Sequence, residues 1–210
     1  METVTTFALG VTGGIGSGKS AVCQVLEVLG ARVFYADAEA KRLMEEDADL
    51  RQAVQDAFGA DSYEASGALN RTHLARLIFG HKQHVETLNA LVHPRVRQAF
   101  ARAKERAVHD PVPVLVHEAA LIFESGADEA LDAVAVVDAP QGARIRRVMD
   151  RDGVSEEQVR ARMRHQWPTS VLRQRADYVI DNSGQPDALR PQVERIYRAI
   201  LQATTPTHRQ

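Results

Sequence analysis

Several residue types and patterns are scarce in this chain of 210 residues, and each scarcity excludes a class of protein. A single cysteine, Cys23, cannot support a disulfide framework, so we expect a protein of the reducing cytosol. No apolar stretch approaches the roughly 18 residues that a membrane span needs. The formal net charge is only −2, which argues against binding to nucleic acid or to an anionic membrane. What is present, 44% hydrophobic and 26% charged residues, is typical of an ordinary globular domain.

Short apolar runs alternate with segments of helical periodicity along the chain. We predict strands at residues 7–11, 31–35, 113–117, 133–137 and 178–180. Strands that alternate with helices predict a doubly wound parallel sheet. The block at residues 38–107 is helical and interrupts the alternation, so we interpret it as a helical insertion. Within this block, His93-Pro94 is predicted to end one helix and to begin the next.

One segment, GGIGSGKS at residues 13–20, fits the phosphate-binding pattern G-x-x-x-x-G-K-[ST]. It follows a predicted strand and precedes a predicted helix, which is the context that this motif requires. Its glycines let successive backbone N–H groups turn toward phosphates, and the helix N-terminus adds a partial positive charge. Lys19 then reaches the β- and γ-phosphates of a nucleoside triphosphate, and Ser20 ligates Mg²⁺. The motif predicts a nucleotide site but does not separate a kinase from a switch GTPase or a motor ATPase.

Acidic side chains follow other predicted strands, at the edge of the sheet where ligands bind in open α/β folds. Asp37 comes after the second strand and is the candidate for the carboxylate that takes the proton of an acceptor hydroxyl. The alternative for Asp37 is a cap on the next helix. Glu118, after the third strand, is a candidate for holding the water shell of the metal ion, whereas His117 is interpreted as a strand residue. Asp138 either acts in the site or caps the helix that follows it.

Arginine is concentrated in residues 141–175, which contain nine of the 22 arginines of the chain and no lysine. Small-molecule kinases need cations over the transferring phosphoryl group, and the planar guanidinium binds phosphate oxygens in pairs. Arg147 and Arg151 lie four residues apart on one helix face, before a hinge-like break at Gly153. The alternative is a solvated face in which arginines pair with neighbouring Asp and Glu side chains, and we expect it to hold for most of the nine.

Taken together, several segments resemble the dephospho-CoA kinase family. LGVTGGIGSGKS at residues 9–20 is close to the signature loop of that family, and EAALIFESG at residues 118–126 is similar to its Asp-x-Pro-Leu-Leu-Phe-Glu-x-Gly. The sequence Tyr35-Ala36-Asp37 stands where the family usually has Asp-Ala-Asp, so only the second aspartate is kept. Further matches are Leu91-Val92-His93-Pro94, Arg147 to Asp152 for the lid motif Arg-x-x-x-Arg-Asp, Arg162, Gln166, and ADYVIDNSG at residues 176–184, which leads to the adenine pocket. The matches run in the family's order from about residue 8 to residue 200.

The resemblance implies a three-layer P-loop NTPase fold with a five-stranded parallel sheet, a helical acceptor-binding insertion and a mobile helical lid. The predicted boundaries are 1–37, 108–143 and 176–203 for the core, 38–107 for the insertion and 144–175 for the lid. The implied reaction uses ATP and Mg²⁺ to phosphorylate the ribose 3′-hydroxyl of dephospho-CoA, giving CoA and ADP. The resemblance implies ATP and dephospho-CoA as small-molecule partners. We also expect no nucleic-acid or membrane partner and a monomer or weak homo-oligomer.

On the matching positions, the resemblance implies catalytic roles for Asp37, Lys19 and Arg147, and metal contacts for Ser20 and Glu118. Nucleotide contacts are expected at Gly13, Gly14, Ile15, Gly16, Ser17, Gly18, Lys19, Ser20, Ala21, Arg151 and Asn182. Two rival functions stay open. One is another small-molecule or nucleoside-monophosphate kinase. The other is a nucleotide-switch ATPase, although no Asn-Lys-x-Asp motif for reading guanine is present.

Overall fold

The computed structural model describes residues 6–78 and 81–204, and five strands within them form one parallel sheet. The strands are β1 (Phe7–Thr12), β2 (Arg32–Tyr35), β3 (Val114–Glu118), β4 (Ala133–Asp138) and β5 (Tyr178–Asp181). Their order across the sheet is β2-β3-β1-β4-β5, and each neighbouring pair is parallel. The five predicted strands and the α/β class are confirmed. Because β1 is central, the loop that follows it lies at the middle of the edge formed by the carboxyl ends.

Nine α-helices lie in this described part of the chain. They are α1 (Lys19–Val28), α2 (Ala36–Glu46), α3 (Ala48–Phe58), α4 (Arg71–Ile78), α5 (Lys82–His109), α6 (Gln141–Asp152), α7 (Glu156–Met163), α8 (Thr169–Arg175) and α9 (Leu189–Thr204). Short 3₁₀ turns occupy Ala60–Ser62, Ala127–Ala130 and Pro186–Ala188. Over the described ranges, none of the helices is both long enough and apolar enough to cross a membrane.

The sheet is the centre of the main hydrophobic core. The middle strands are apolar on both faces, as expected for a parallel sheet that is covered by helices, and β3 is buried along its whole length. Helices α1 and α9 pack against the sheet through Val22, Leu26, Val193 and Ile200, each of which is at most 1% exposed. A smaller cluster joins α6 to α7 through Ile145, Val148 and Val159. The packing therefore fixes α1, and with it the loop between β1 and α1, on a rigid support.

The chain divides into two compact units, one with residues 6–35 and 103–204 and the other with residues 36–102. The first unit holds the sheet together with α1 and α6–α9. The second unit has its own apolar residues on α3, namely Leu50, Val54 and Phe58, and Asp47 caps that helix by accepting a hydrogen bond from the backbone N–H of Leu50. The finer division of the first unit into core and lid stays a prediction.

Helix α5 is continuous from Lys82 to His109, so the predicted break at His93-Pro94 is wrong. Proline removes one backbone hydrogen bond and crowds the preceding turn, at a cost of about 3 kcal/mol in a helix interior. The apolar residues Val92, Val96 and Phe100 are buried on both sides of Pro94, with exposures of 6%, 8% and 2%. Burying such side chains contributes about 1.5–3 kcal/mol each, so the packing of the helix offsets the cost of the proline.

Candidate active site

The loop at residues 13–20 leads from β1 directly into α1, which begins at Lys19. Gly13, Gly16 and Gly18 have φ angles of 145°, 77° and 99°, a region that side chains with a Cβ rarely adopt. Gly18 is the N-cap of α1, and no side chain caps the helix there. The first N–H groups of α1 are therefore not bonded to a capping side chain, which is the arrangement that binds phosphate at a helix N-terminus.

Lys19 lies between the loop and the end of β3. Its Nζ donates a hydrogen bond to the carbonyl of Gly13 at 3.1 Å and lies 3.9 Å from Oε1 of Glu118. Glu118 is the last residue of β3 and is only 8% exposed. The structure thus places the predicted lysine and the predicted metal-site carboxylate side by side, so that a cation and an anion meet at the loop.

Two side chains form hydrogen bonds with the backbone of Ile15 in the loop, one with its N–H and one with its carbonyl. The Ile15 N–H donates to Oε1 of Gln166 at 2.7 Å, and the Ile15 carbonyl accepts from Nε of Arg144 at 3.0 Å. Gln166 also donates to the carbonyl of Ala120 at 3.2 Å, and Arg144 also donates to Oγ1 of Thr169 at 3.0 Å. Arg144 is 8% exposed, and burial lowers the pKa of its guanidinium. The two bonds to Ile15 tie the loop to the segment predicted as the lid, and the other two hold Gln166 and Arg144 in place.

Sequence reasoning gave no role to either residue of this clamp. Arg144 is one of nine arginines in residues 141–175, and Gln166 matches the family pattern without a predicted role. The sequence carries no signal that singles out either residue. In the structure Gly14 has no positive φ, so a close neighbour rather than the backbone angle demands a glycine there. A Cβ at Gly14 would lie 1.9 Å from Nη2 of Arg144.

Arg147 and Asn182 contact the loop from the β5 side. Nη1 of Arg147 donates to the carbonyls of Gly16 and Ser17, both at 3.4 Å, and its Nη2 donates to the carbonyl of Asn182 at 3.0 Å. Nδ2 of Asn182 donates to the carbonyl of Ser17 at 2.7 Å. The structure therefore brings both predicted residues to the phosphate loop.

Arg151 is not brought to the loop. Its Nε donates to Oδ1 of Asp152 at 2.7 Å, its side chain is 63% exposed, and the pair lowers the pKa of Asp152 to about 2. Arg162 pairs with the same aspartate at 2.9 Å, and Arg160 pairs with Glu156 at 2.7 Å. These three arginines are therefore exposed and paired with neighbouring acidic side chains, as the alternative interpretation of the arginine-rich segment expects. A nucleotide contact of Arg151 stays a prediction.

The two predicted aspartates differ in their surroundings. Asp37 is exposed and lies in the first turn of α2, which begins at Ala36. Asp37 is therefore inside the helix and not its N-cap. Asp138, the last residue of β4, accepts a hydrogen bond from Nη1 of Arg173 at 2.8 Å, while α6 has Pro140 at its N-cap position. The capping alternative is wrong for both residues.

His117 is a strand residue, as interpreted from the sequence. It lies in β3, is 3% exposed, and its ring is 5.4 Å from the ring of Phe34. Burial lowers its pKa to about 4, so the imidazole is neutral near pH 7.

Comparisons with known proteins match nearly the whole chain to dephospho-CoA kinases. The family model described as dephospho-CoA kinase matches residues 7–187. Dephospho-CoA kinase of Salinibacter ruber is 55% identical over 192 residues, which cover 91% of this chain and 96% of that protein. A crystal structure from Thermus thermophilus is similar with 35% identity and a TM-score of 0.78, covering 96% of this chain and 99% of that one. Dephospho-CoA kinase from Campylobacter jejuni has 26% identity and a TM-score of 0.70, covering 94% and 98%.

Proposed function

The chain belongs to the dephospho-CoA kinase family, and from that premise we propose how its residues carry out ATP-dependent phosphorylation of dephospho-CoA, the last step of CoA biosynthesis. The observation that carries the proposal is the phosphate loop, which is hydrogen-bonded by Arg144, Gln166, Arg147 and Asn182. Phosphoryl transfer depends on positioning and charge stabilisation more than on covalent chemistry by the protein. A loop supported by hydrogen bonds from four side chains suits that need.

ATP binds with its phosphates in the loop. The N–H groups of Ile15 and Ser17 bond to Gln166 and to the Gly14 carbonyl. The other backbone N–H groups of residues 13–20 and the N-terminus of α1 face the phosphate oxygens. Lys19 exchanges its bond to the Gly13 carbonyl for the β- and γ-phosphates, which attract its charge more strongly than a neutral carbonyl does. Arg147 reaches the transferring group from the β5 side, where it already contacts the loop.

The residues present fit a magnesium ion. Ser20 offers a hydroxyl in the first turn of α1, and the buried carboxylate of Glu118 lies near the same loop. No group of three or more His, Cys, Asp or Glu side chains suitable for a metal lies in residues 6–78 and 81–204. Ser20 would hold the ion with the nucleotide phosphates, and Glu118 would act through water, as is common for Mg²⁺. When bound, the ion neutralises charge on the β- and γ-phosphates.

The acceptor is the ribose 3′-hydroxyl of dephospho-CoA, and Asp37 orients it and takes its proton. Asp37 is exposed and directly follows β2 in the chain. A carboxylate in this role leaves the oxygen free to attack the γ-phosphorus while the proton moves to the side chain. We place the enzyme in the cytosol as a monomer or weak homo-oligomer, with ATP and dephospho-CoA as its small-molecule partners.

The test is ADP formation by the purified protein with Mg-ATP, with and without dephospho-CoA, beside AMP and shikimate as competing acceptors. We expect ADP only with dephospho-CoA, and turnover of another acceptor would reject the substrate.

Asp37→Asn should lower kcat by about 10²–10⁴ with little change in KM for ATP. Asp61→Asn, at an exposed aspartate of the same unit, is the matched control and should behave as wild type. An Asp37→Asn enzyme with nearly normal kcat would remove Asp37 from the proton-accepting role.

A further inference from the structure

A stacked pair of aromatic rings lies beside the phosphate loop. Phe123 and Trp167 have ring planes within 3° of parallel and centroids 6.4 Å apart. The guanidinium of Arg175 lies 5.6 Å from the Phe123 centroid and 5.2 Å from the Trp167 centroid. The chain has one tryptophan and only 5% aromatic residues, so the pairing is uncommon in this chain. Phe123 is 8% exposed and Trp167 is half-buried, so the Trp167 ring is the more accessible of the two.

The ring pair is tied to the loop through its neighbours. Gln166, directly before Trp167, accepts the hydrogen bond from the Ile15 N–H and donates to the Ala120 carbonyl, three residues before Phe123. Both rings therefore belong to the segments that support the phosphate loop.

We propose that the Phe123–Trp167 ring pair is the stacking surface for the adenine of the acceptor dephospho-CoA. This inference rests on the proposed function, since it supplies the base-binding part of the same site. Bases stack on aromatic side chains and on guanidinium planes, and both kinds of surface are present here.

The sheet order decides between the two adenines of the reaction. Asn182, which follows β5, is assigned to ATP binding, and β5 lies on one side of β1. Phe123 follows β3, which lies on the other side of β1 and pairs with β2. The acceptor hydroxyl is assigned to Asp37, which follows β2. Since the 3′-hydroxyl and the base are on one ribose, the base of the acceptor belongs on the β3 side.

The polar surroundings of the rings also fit an adenine. Oε1 of Glu124 accepts the backbone N–H of Trp167 at 2.9 Å, and its buried Oε2 has no hydrogen-bond partner among the described residues. A buried carboxylate oxygen without a donor is unfavourable, and the exocyclic amine of adenine is such a donor. Arg175 is exposed and forms no ion pair within the described ranges, so moving it off the rings breaks only its contacts with the rings themselves.

Because Trp167 is the only tryptophan, its fluorescence reports on the proposed surface directly. Without ATP, dephospho-CoA should quench the emission in a saturable way, whereas 4′-phosphopantetheine, which has no base, should not. Quenching by Mg-ADP but not by dephospho-CoA would assign the rings to ATP and overturn the proposal. Equal quenching by 4′-phosphopantetheine would also overturn it, because the signal would then arise from movement of the segment rather than from stacking.

Steady-state kinetics give the second test. Trp167→Leu removes the ring but keeps the backbone N–H that bonds to Glu124. Loss of one base-stacking contact should raise KM for dephospho-CoA by about 5- to 100-fold, while KM for ATP stays unchanged. Trp167→Phe, the matched variant, retains a stacking ring and should recover most of the affinity. A merely structural role would change both KM values and lower the unfolding temperature.

The two proposals fail separately. If wild-type protein forms no ADP in response to dephospho-CoA, the proposed function fails. If wild type turns over dephospho-CoA but Trp167→Leu keeps the normal KM for it, only the stacking surface is rejected.

Discussion

Replacing Gly14 by alanine should damage the enzyme through Arg144 alone. The backbone at Gly14 does not have a positive φ, so alanine causes no backbone strain there. The added Cβ would lie 1.9 Å from Nη2, 2.3 Å from Cζ and 2.8 Å from Nη1 of Arg144. The guanidinium must therefore move away from the loop.

The magnitude follows from the bonds that Arg144 makes. Its hydrogen bonds to the Ile15 carbonyl and to Thr169 are each 3.0 Å long, and bonds from charged donors contribute about 1.5–3 kcal/mol each. Part of this free energy is regained when the displaced guanidinium forms hydrogen bonds with water. Alanine also restricts the unfolded chain more than glycine does, which favours the folded state. We expect the free energy of unfolding to fall by about 2–4 kcal/mol, which a protein stable by about 5–15 kcal/mol survives.

Urea unfolding at 25 °C measures the loss of free energy of unfolding. The effect on the loop is measured by KM for ATP, which we expect to rise by about tenfold or more. Gly142→Ala is the matched control, because Gly142 lies in α6 and its added Cβ meets only Nη1 of Arg146 at 3.7 Å. That change should stabilise the protein by up to about 1 kcal/mol.

A double mutant identifies the cause. In the Arg144→Met background the clash with the guanidinium is gone, so adding Gly14→Ala should cost much less than it does in wild type. The reasoning is refuted if Gly14→Ala unfolds within about 0.5 kcal/mol of wild type, or if the cost is the same in both backgrounds.

Three further predictions concern buried or capping groups. The pKa of His117 is lowered from 6.5 to about 4, so the unfolded state binds more protons between these pH values. The free energy of unfolding should therefore fall by about 3 kcal/mol as the pH drops through this window, and the pH series of His117→Gln in urea should lack that component. Burial raises the pKa of Cys23 to about 12, so a thiol reagent should modify it rapidly only in denaturant, and fast labelling of native protein would contradict this. Ser155 and Gln158 form a reciprocal capping box on α7, so Ser155→Ala should lower the stability by about 1 kcal/mol in thermal unfolding, against no change if the cap is unimportant.

The sequence was most informative where a signal is local. The apolar runs predicted all five strands, because a buried parallel strand must be apolar over consecutive residues. Ser155 and Gln158 have the spacing of a capping box, and both hydrogen bonds of the box, each spanning three residues, are present in the structure. The loop motif was equally readable, because its glycines and Lys19 are contiguous.

Local reasoning failed where packing opposed propensity. Pro94 predicted a helix boundary, yet α5 continues through it. The local rule weighs the lost backbone hydrogen bond, whereas the burial of Val92, Val96 and Phe100 depends on contacts that the sequence does not display. In the same way Asp138 had the composition of a cap, but it pairs with Arg173, which is 35 positions away in the chain.

By itself, then, the sequence determined the strands, the phosphate loop and the family, since these depend on residue types in fixed local order. Which residues of the predicted lid contact the loop was decided only by the tertiary structure. Ile15 and Gln166 are 151 positions apart, and Arg147 and Gly16 are 131 apart. Nine arginines near one another in sequence look alike, and only the packing of α6 onto the loop buries Arg144 there while Arg151 stays paired with Asp152 in solvent. The physical reason is that a hydrogen bond depends on atoms within about 3 Å of each other, a distance that the fold, not the spacing along the chain, sets.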